Sequence, residues 1–220
     1  LDWRGPHGRG ILQHGNPNGS DDSCRRSATA DHSKRHEQNA QFDRSKHLLD
    51  PWVSLLFTRC FTMTRFIFDL DHTVIDSSHR QATRSDGSLD LDHWREHSTP
   101  ALIARDTLLP LADQWRRALA KGSEIVVCTA RVMGPADYRY LTQHGLLADC
   151  VISRSEGDRT ADDLLKLRGL KRYAAQRKIS WRKFCKTSLM FDDNINVIFT
   201  LTNHGIVVHN ALAINERLSA

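Results

Sequence analysis

The sequence predicts an α/β fold with a central parallel sheet covered by helices on both faces. Three observations carry this. Short apolar runs alternate with amphipathic helical segments between Met63 and the end of the chain. The runs are apolar at every position instead of alternating, as strands buried on both faces require. Several of them end in acidic or hydroxyl residues, which marks one edge of the sheet as polar.

In order, Arg65 to Leu70 reads as the first strand. Pro110 to Lys121 reads as a helix, with Pro110 suited to its first turn and Gly122 to its stop. Leu111, Trp115, Ala118 and Leu119 share one face of it, so Trp115 belongs to the core. Ile125 to Cys128 is a second strand, Ala136 to His144 a helix ended by Gly145, and Cys150 to Ile152 a third strand. Thr160 to Arg177 is a long helix with a break expected near Gly169. Leu189 to Phe191 is a fourth strand, Ile195 to Asn203 a helix, and Ile206 to Val208 a fifth strand.

Residues 1–62 differ in character. From Gly15 to Gln41 there is no large apolar residue. Such a segment cannot bury enough surface to offset its ordering entropy and is expected to be disordered. The first methionine is Met63, so a natural start there, with 1–62 as an upstream extension and 63–220 as the folded domain, is the expectation.

The chain has 220 residues, is 40% hydrophobic and 26% charged, and carries a formal charge of +5. Its basic residues are dispersed among acidic ones, which argues against a dedicated nucleic-acid-coating surface. No apolar run reaches the roughly 18 residues that a membrane span needs, so no membrane partner is expected. Five cysteines (Cys24, Cys60, Cys128, Cys150 and Cys185) show no metal-finger spacing, and free thiols in a reducing, cytoplasmic compartment are expected.

The polar strand ends carry the chemistry. The first strand runs into Asp69-Leu70-Asp71-His72-Thr73, the second into Thr129-Ala130-Arg131, and the fourth into Asp192-Asp193. Carboxylates converging from separate strands repel unless a cation lies between them. An all-oxygen ligand set suits Mg²⁺, which also binds substrate phosphate. One carboxylate can attack phosphorus, and a second can protonate the leaving oxygen and then activate water.

This order of motifs, DxDxT, a strand ending in Thr, a Lys and a strand ending in DD, resembles the haloacid dehalogenase superfamily of phosphohydrolases across nearly all of 63–220. The resemblance implies a Rossmann-like three-layer sandwich. It implies Asp69 as nucleophile, Asp71 as general acid/base and Thr129 as phosphoryl ligand. Asp69, the Asp71 carbonyl and Asp192 would bind Mg²⁺, with Asp193 in support. His72 stands where many relatives have Gly, at a position expected to need an unusual backbone angle.

Ser153 to Lys166 is similar to a stretch in the 3′-phosphatase domain of phage polynucleotide kinase–phosphatases. That resemblance implies functional roles for Asp162 and Lys166, and for Arg80 and Arg131 as phosphate-gripping groups. Asp162 and Lys166 are one helical turn apart and are expected to pair. No GxxxxGKS/T loop occurs, so a stand-alone phosphatase without a kinase half is expected. Asp76 to Thr107 and Val132 to Leu165 are the segments available for substrate selection, with a small or absent cap, and Trp94 is a candidate base-stacking platform. The expected substrate is a phosphorylated nucleic-acid end, processed as by a polynucleotide 3′-phosphatase in a bacterial or phage-infected cytoplasm. The alternatives are a 5′- or 3′-nucleotidase on free mononucleotides and, from another class, a non-catalytic binding module.

Overall fold

A computed structural model describes residues 64–220 except Ser88. The expectations for residues 1–62 lie outside the described residues. The chain enters at β1 (Arg65–Phe68), passes the short β2 (Ile75–Asp76) and then an insertion holding α1 (Leu91–Glu96) and α2 (Pro100–Ile103). It returns through β3 (Thr107–Leu108), α3 (Leu111–Ala120), β4 (Glu124–Cys128), α4 (Pro135–Gln143) and β5 (Cys150–Ile152). It ends with α5 (Asp162–Gln176), α6 (Trp181–Thr187), β6 (Ser188–Asp192), α7 (Ile195–Asn203), β7 (Val207–Asn210) and α8 (Ala211–Ser219).

Five strands form one sheet in the order β5-β4-β1-β6-β7, with every pair parallel. The chain builds outward from β1 through β4 to β5, then returns to β1's other side with β6. β1 is therefore the topological switch point, where the crevice beyond the strand ends opens. The core follows the two-residue period of the strands. Phe66 and Phe68 pack with Trp115, Ile125, Val127 and Phe191 on one face, under α3, α4 and α8. Ile67, Val126 and Met190 pack with Leu170, Phe184 and Val197 on the other, under α5, α6 and α7. Phe68 is stacked between Trp115 at 5.1 Å and Phe191 at 5.2 Å, which pins the end of the central strand.

The expected strands and long helices are present within a residue or two of their expected limits. The break near Gly169 does not occur, and α5 runs through it. The glycine has a packing reason: a Cβ there would stand 2.5 Å from Ile152 Cγ2, so its absence lets α5 close onto the sheet. The antiparallel pair β2–β3 and helices α1, α2, α6 and α8 had no counterpart in the reading of the sequence. β2 and β3 pinch together the base of the 77–106 insertion, which is the small cap of this fold. Cys128 and Cys185 are free thiols, as expected; Cys24 and Cys60 lie outside the described residues.

Replacing Gly169 by Ala should lower stability by about 1–3 kcal/mol through overpacking. This is read as a drop in the urea midpoint. Combined with Ile152→Ala, the loss should be smaller than the sum of the two single losses.

Candidate active site

The strand ends bring the carboxylates together. β1 delivers Asp69, whose backbone N–H still donates to Phe191 at 3.1 Å and so remains in register with β6. The chain then wraps tightly round the Leu70 carbonyl, which accepts from the backbone N–H groups of Thr73, Val74 and Ile75. His72 takes φ of 53° in this turn. The unusual angle expected at the position is present, and His72 holds it by donating its backbone N–H to Ile75 at 2.8 Å.

Asp69, Asp192 and Asp193 form the one metal-capable acidic cluster among the described residues, each offering an oxygen within 4.8 Å of the others. Lys166 reaches the cluster from α5, only 2% exposed, with Nζ 2.7 Å from Asp192 Oδ2 and 3.1 Å from Asp69 Oδ1. The i, i+4 pair expected between Asp162 and Lys166 is not formed. Lys166 turns inward to the strand-end carboxylates, and Asp162 pairs with Arg154 at 2.6 Å instead. The deeper carboxylates attract the ammonium more strongly because little water screens them.

The cluster is electrostatically short of positive charge. Burial, then the Asp71 charge, raises the Asp69 carboxyl above its ordinary range, and Lys166 only partly offsets this. Burial and the Asp69 charge push Asp192 up to about 7 and Asp193 up to about 6. Burial opposes the charge on Lys166, but Asp69 and Asp192 outweigh it and raise the ammonium well above its usual value. Asp69 Oδ1 is also buried without a well-directed hydrogen-bond donor. Three carboxylates that share one ammonium, Asp69 Oδ1 among them at 3.1 Å, are an all-oxygen donor set that fits Mg²⁺.

Asp71 has a different environment. Burial raises its carboxyl, but the Arg131 charge and hydrogen bonds, together with Ser77, hold it below the usual carboxylate range. Arg131 grips it through Nε at 3.1 Å and through Nη2, while Ser77 Oγ donates to it at 2.5 Å. The other side of Arg131 donates to Asp137 at 2.6 Å. Thr129 is buried at the end of β4, and its Oγ1 accepts the Arg131 backbone N–H at 3.2 Å.

Arg80 is not brought into the cluster. It is 1% exposed and lies in the base of the insertion, with Nε and Nη2 each 2.8 Å from the carboxylate of Asp106. Its guanidinium lies 4.2 Å over the ring of half-buried Trp94, which occupies one approach to that ring. Trp115 is fully buried, as expected. Ser77, Asp106, Asp137 and Arg154 were missed. Asp137 had a local signal, three residues after Gly134 at a helix start, where it accepts the Gly134 N–H at 2.8 Å. Ser77 and Asp106 had none, because loop closure alone brings them to their partners.

These shifts set a pH dependence. Asp192 and Asp193 are raised in the folded state, so their contribution to stability is fully present below the ordinary value of 3.8 and is lost as pH rises through about 6 and about 7. Metal-free protein should therefore show a falling urea midpoint between about pH 4 and about pH 7, and millimolar Mg²⁺ should remove most of that fall. A flat profile without metal would show that the cluster is not charge-strained.

A family model described as bacteriophage T5 5′-deoxynucleotidase matches residues 57–220. The 5′-deoxynucleotidase of Escherichia phage T5 is 30% identical over 176 residues, covering 70% of this chain and 69% of that protein. Among solved structures, a haloacid dehalogenase-like hydrolase from Streptococcus pneumoniae superposes with a TM-score of 0.50 at 11% identity, covering 71% of this chain and 98% of that one. A chain of the Pnkp1/Rnl/Hen1 RNA repair complex gives a TM-score of 0.46 at 16% identity, covering 68% of this chain and 43% of that one, a likeness too low to bear on substrate. The chain belongs to the bacteriophage T5 5′-deoxynucleotidase family and is a phosphoric monoester hydrolase with a haloacid dehalogenase-like fold.

Proposed function

We propose that this phosphatase is a Mg²⁺-dependent 5′-nucleotidase that removes the phosphate of free 5′-deoxymononucleotides through an aspartyl-phosphate at Asp69. The observation that carries the reading is the cluster of Asp69, Asp192 and Asp193 around Lys166 in a chain whose curated relative is a 5′-deoxynucleotidase. This takes the mononucleotide alternative over nucleic-acid end processing. One of the two arginines on which the 3′-phosphatase reading leaned, Arg80, is consumed by Asp106 inside the insertion.

In this mechanism Asp69, Asp192 and the Asp71 carbonyl would hold the cation, with Asp193 supporting them. When bound, it would supply charge neutralisation for the phosphoryl oxygens. Asp69 attacks phosphorus, and its C–O–P bond forms as the bond from phosphorus to the nucleoside oxygen breaks. Lys166 keeps the attacking carboxylate oriented and neutralises part of the incoming charge. Thr129 donates its hydroxyl to a non-bridging oxygen.

Asp71 is ionised in the resting arrangement because Arg131 and Ser77 hold it so. That state suits its second task, taking a proton from the water that attacks the aspartyl-phosphate. For its first task it must be protonated when the leaving oxygen departs. The dianionic phosphate competes for the Arg131 N–H groups, and loss of that partner raises the Asp71 carboxyl at the moment the substrate arrives. Arg131 thereby grips phosphate by exchanging one anionic partner for another.

Phosphate release in Mg²⁺ should be fastest with 5′-deoxymononucleotides, slower with 3′-mononucleotides, and slowest with a 3′-phosphorylated oligonucleotide. Preference for the oligonucleotide would return the function to end processing. Asp69→Asn should lower kcat by about a thousandfold or more while circular dichroism shows an unchanged fold.

A further inference from the structure

The loops that follow β4 and β5 are joined by one side chain that the proposed chemistry does not use. Arg154, just beyond β5, donates its backbone N–H to the Arg131 carbonyl at 3.1 Å. Its Nε donates to the Ala130 carbonyl at 2.9 Å. Nη1 donates to the carbonyls of Asp158 at 2.9 Å and Thr160 at 2.8 Å, and Nη2 to Asp162 Oδ1 at 2.6 Å. The side chain is 16% exposed.

The peptide unit between Ala130 and Arg131 is therefore held at both ends. Arg154 holds its oxygen, and its N–H donates to Thr129 Oγ1. With that oxygen accepting, the Thr129 hydroxyl has its own proton left to donate into the crevice. The same guanidinium fixes Asp162, the first residue of α5, and Lys166 lies one turn further along that helix. One planar five-donor group thus ties the Thr129 turn to the helix that carries Lys166, which a lysine could not do.

We propose that Arg154 is a positioning residue for phosphate binding, acting through the Thr129–Arg131 turn, and that Asp162 acts through Arg154. The inference rests on Thr129 being a phosphoryl ligand in the proposed function. It assigns Asp162 to the support of the site and not to direct contact with substrate.

The test is inorganic phosphate affinity, measured by calorimetry with Mg²⁺, alongside KM and kcat on a 5′-deoxymononucleotide. Arg154→Gln should weaken phosphate binding and raise KM roughly tenfold. Arg154→Lys should not restore either value. Asp162→Asn keeps the shape and one acceptor, and should shift both in the same direction by about two- to threefold. If Arg154→Gln does not fold, Asp162→Asn and Arg154→Lys decide the matter. Phosphate affinity and KM within about twofold of wild type in the folded variants, with only a lowered Tm, would overturn the proposal and leave Arg154 a loop staple. A wild type that binds phosphate but hydrolyses no mononucleotide would sink the functional reading instead, and the phosphate affinities of the variants would still decide the clamp.

Discussion

The buried contact of Lys166 with Asp69 and Asp192 is the constraint on which the rest of the site depends. An ammonium and two carboxylates out of water carry a desolvation cost of several kcal/mol per ion, and only close geometry repays it. That geometry is set from two directions. The sheet fixes the acids, because β1 and β6 pair in register so that their ends deliver Asp69 and Asp192 side by side. The helix fixes the base, because Gly169 on α5 lets that helix sit close enough to the sheet for Lys166 to reach across. With Asp193 added, one ammonium faces three carboxylates. The remaining negative charge is what a divalent cation and a phosphoryl group in transfer are suited to balance.

Around this centre the polar groups form two arginine-centred brackets. Arg131 couples Asp71 to Asp137, and its Nη2 lies 3.7 Å from Asp106, which Arg80 holds from the insertion. Asp71, the acid/base of the proposed mechanism, is thereby wired to the insertion. Arg154 closes the other bracket, between the ends of β4 and β5 and the start of α5. Each guanidinium is held by acceptors that match its fork, which makes these turns rigid at the place where phosphate would bind.

Much of this was legible in the sequence because it is local. Buried parallel strands such as Ile125-Val126-Val127-Cys128 read as apolar runs, and an acid directly after one lies at the polar edge whatever the rest of the chain does. The unusual backbone angle at His72 was implied by the resemblance, since many relatives have Gly at that position. What was not legible is pairing at a distance. Lys166 chooses Asp192, 26 residues away, over Asp162 one turn away, because burial and not spacing sets the strength of the interaction. Arg80 shows the same effect: the resemblance implied a phosphate ligand there, but Asp106 closes on it across the insertion. The two-residue strands β2 and β3 were unreadable because so short a run carries no period.

The central claim is that a carboxylate of the chain, and not water, makes the first attack on phosphorus. The most direct measurement is the steric course at phosphorus, using a 5′-thiophosphate nucleoside ester made chiral with oxygen isotopes. Two successive in-line displacements, first by Asp69 and then by water, predict net retention of configuration. Net inversion would mean a single direct attack by water, and would contradict the account built on Asp69.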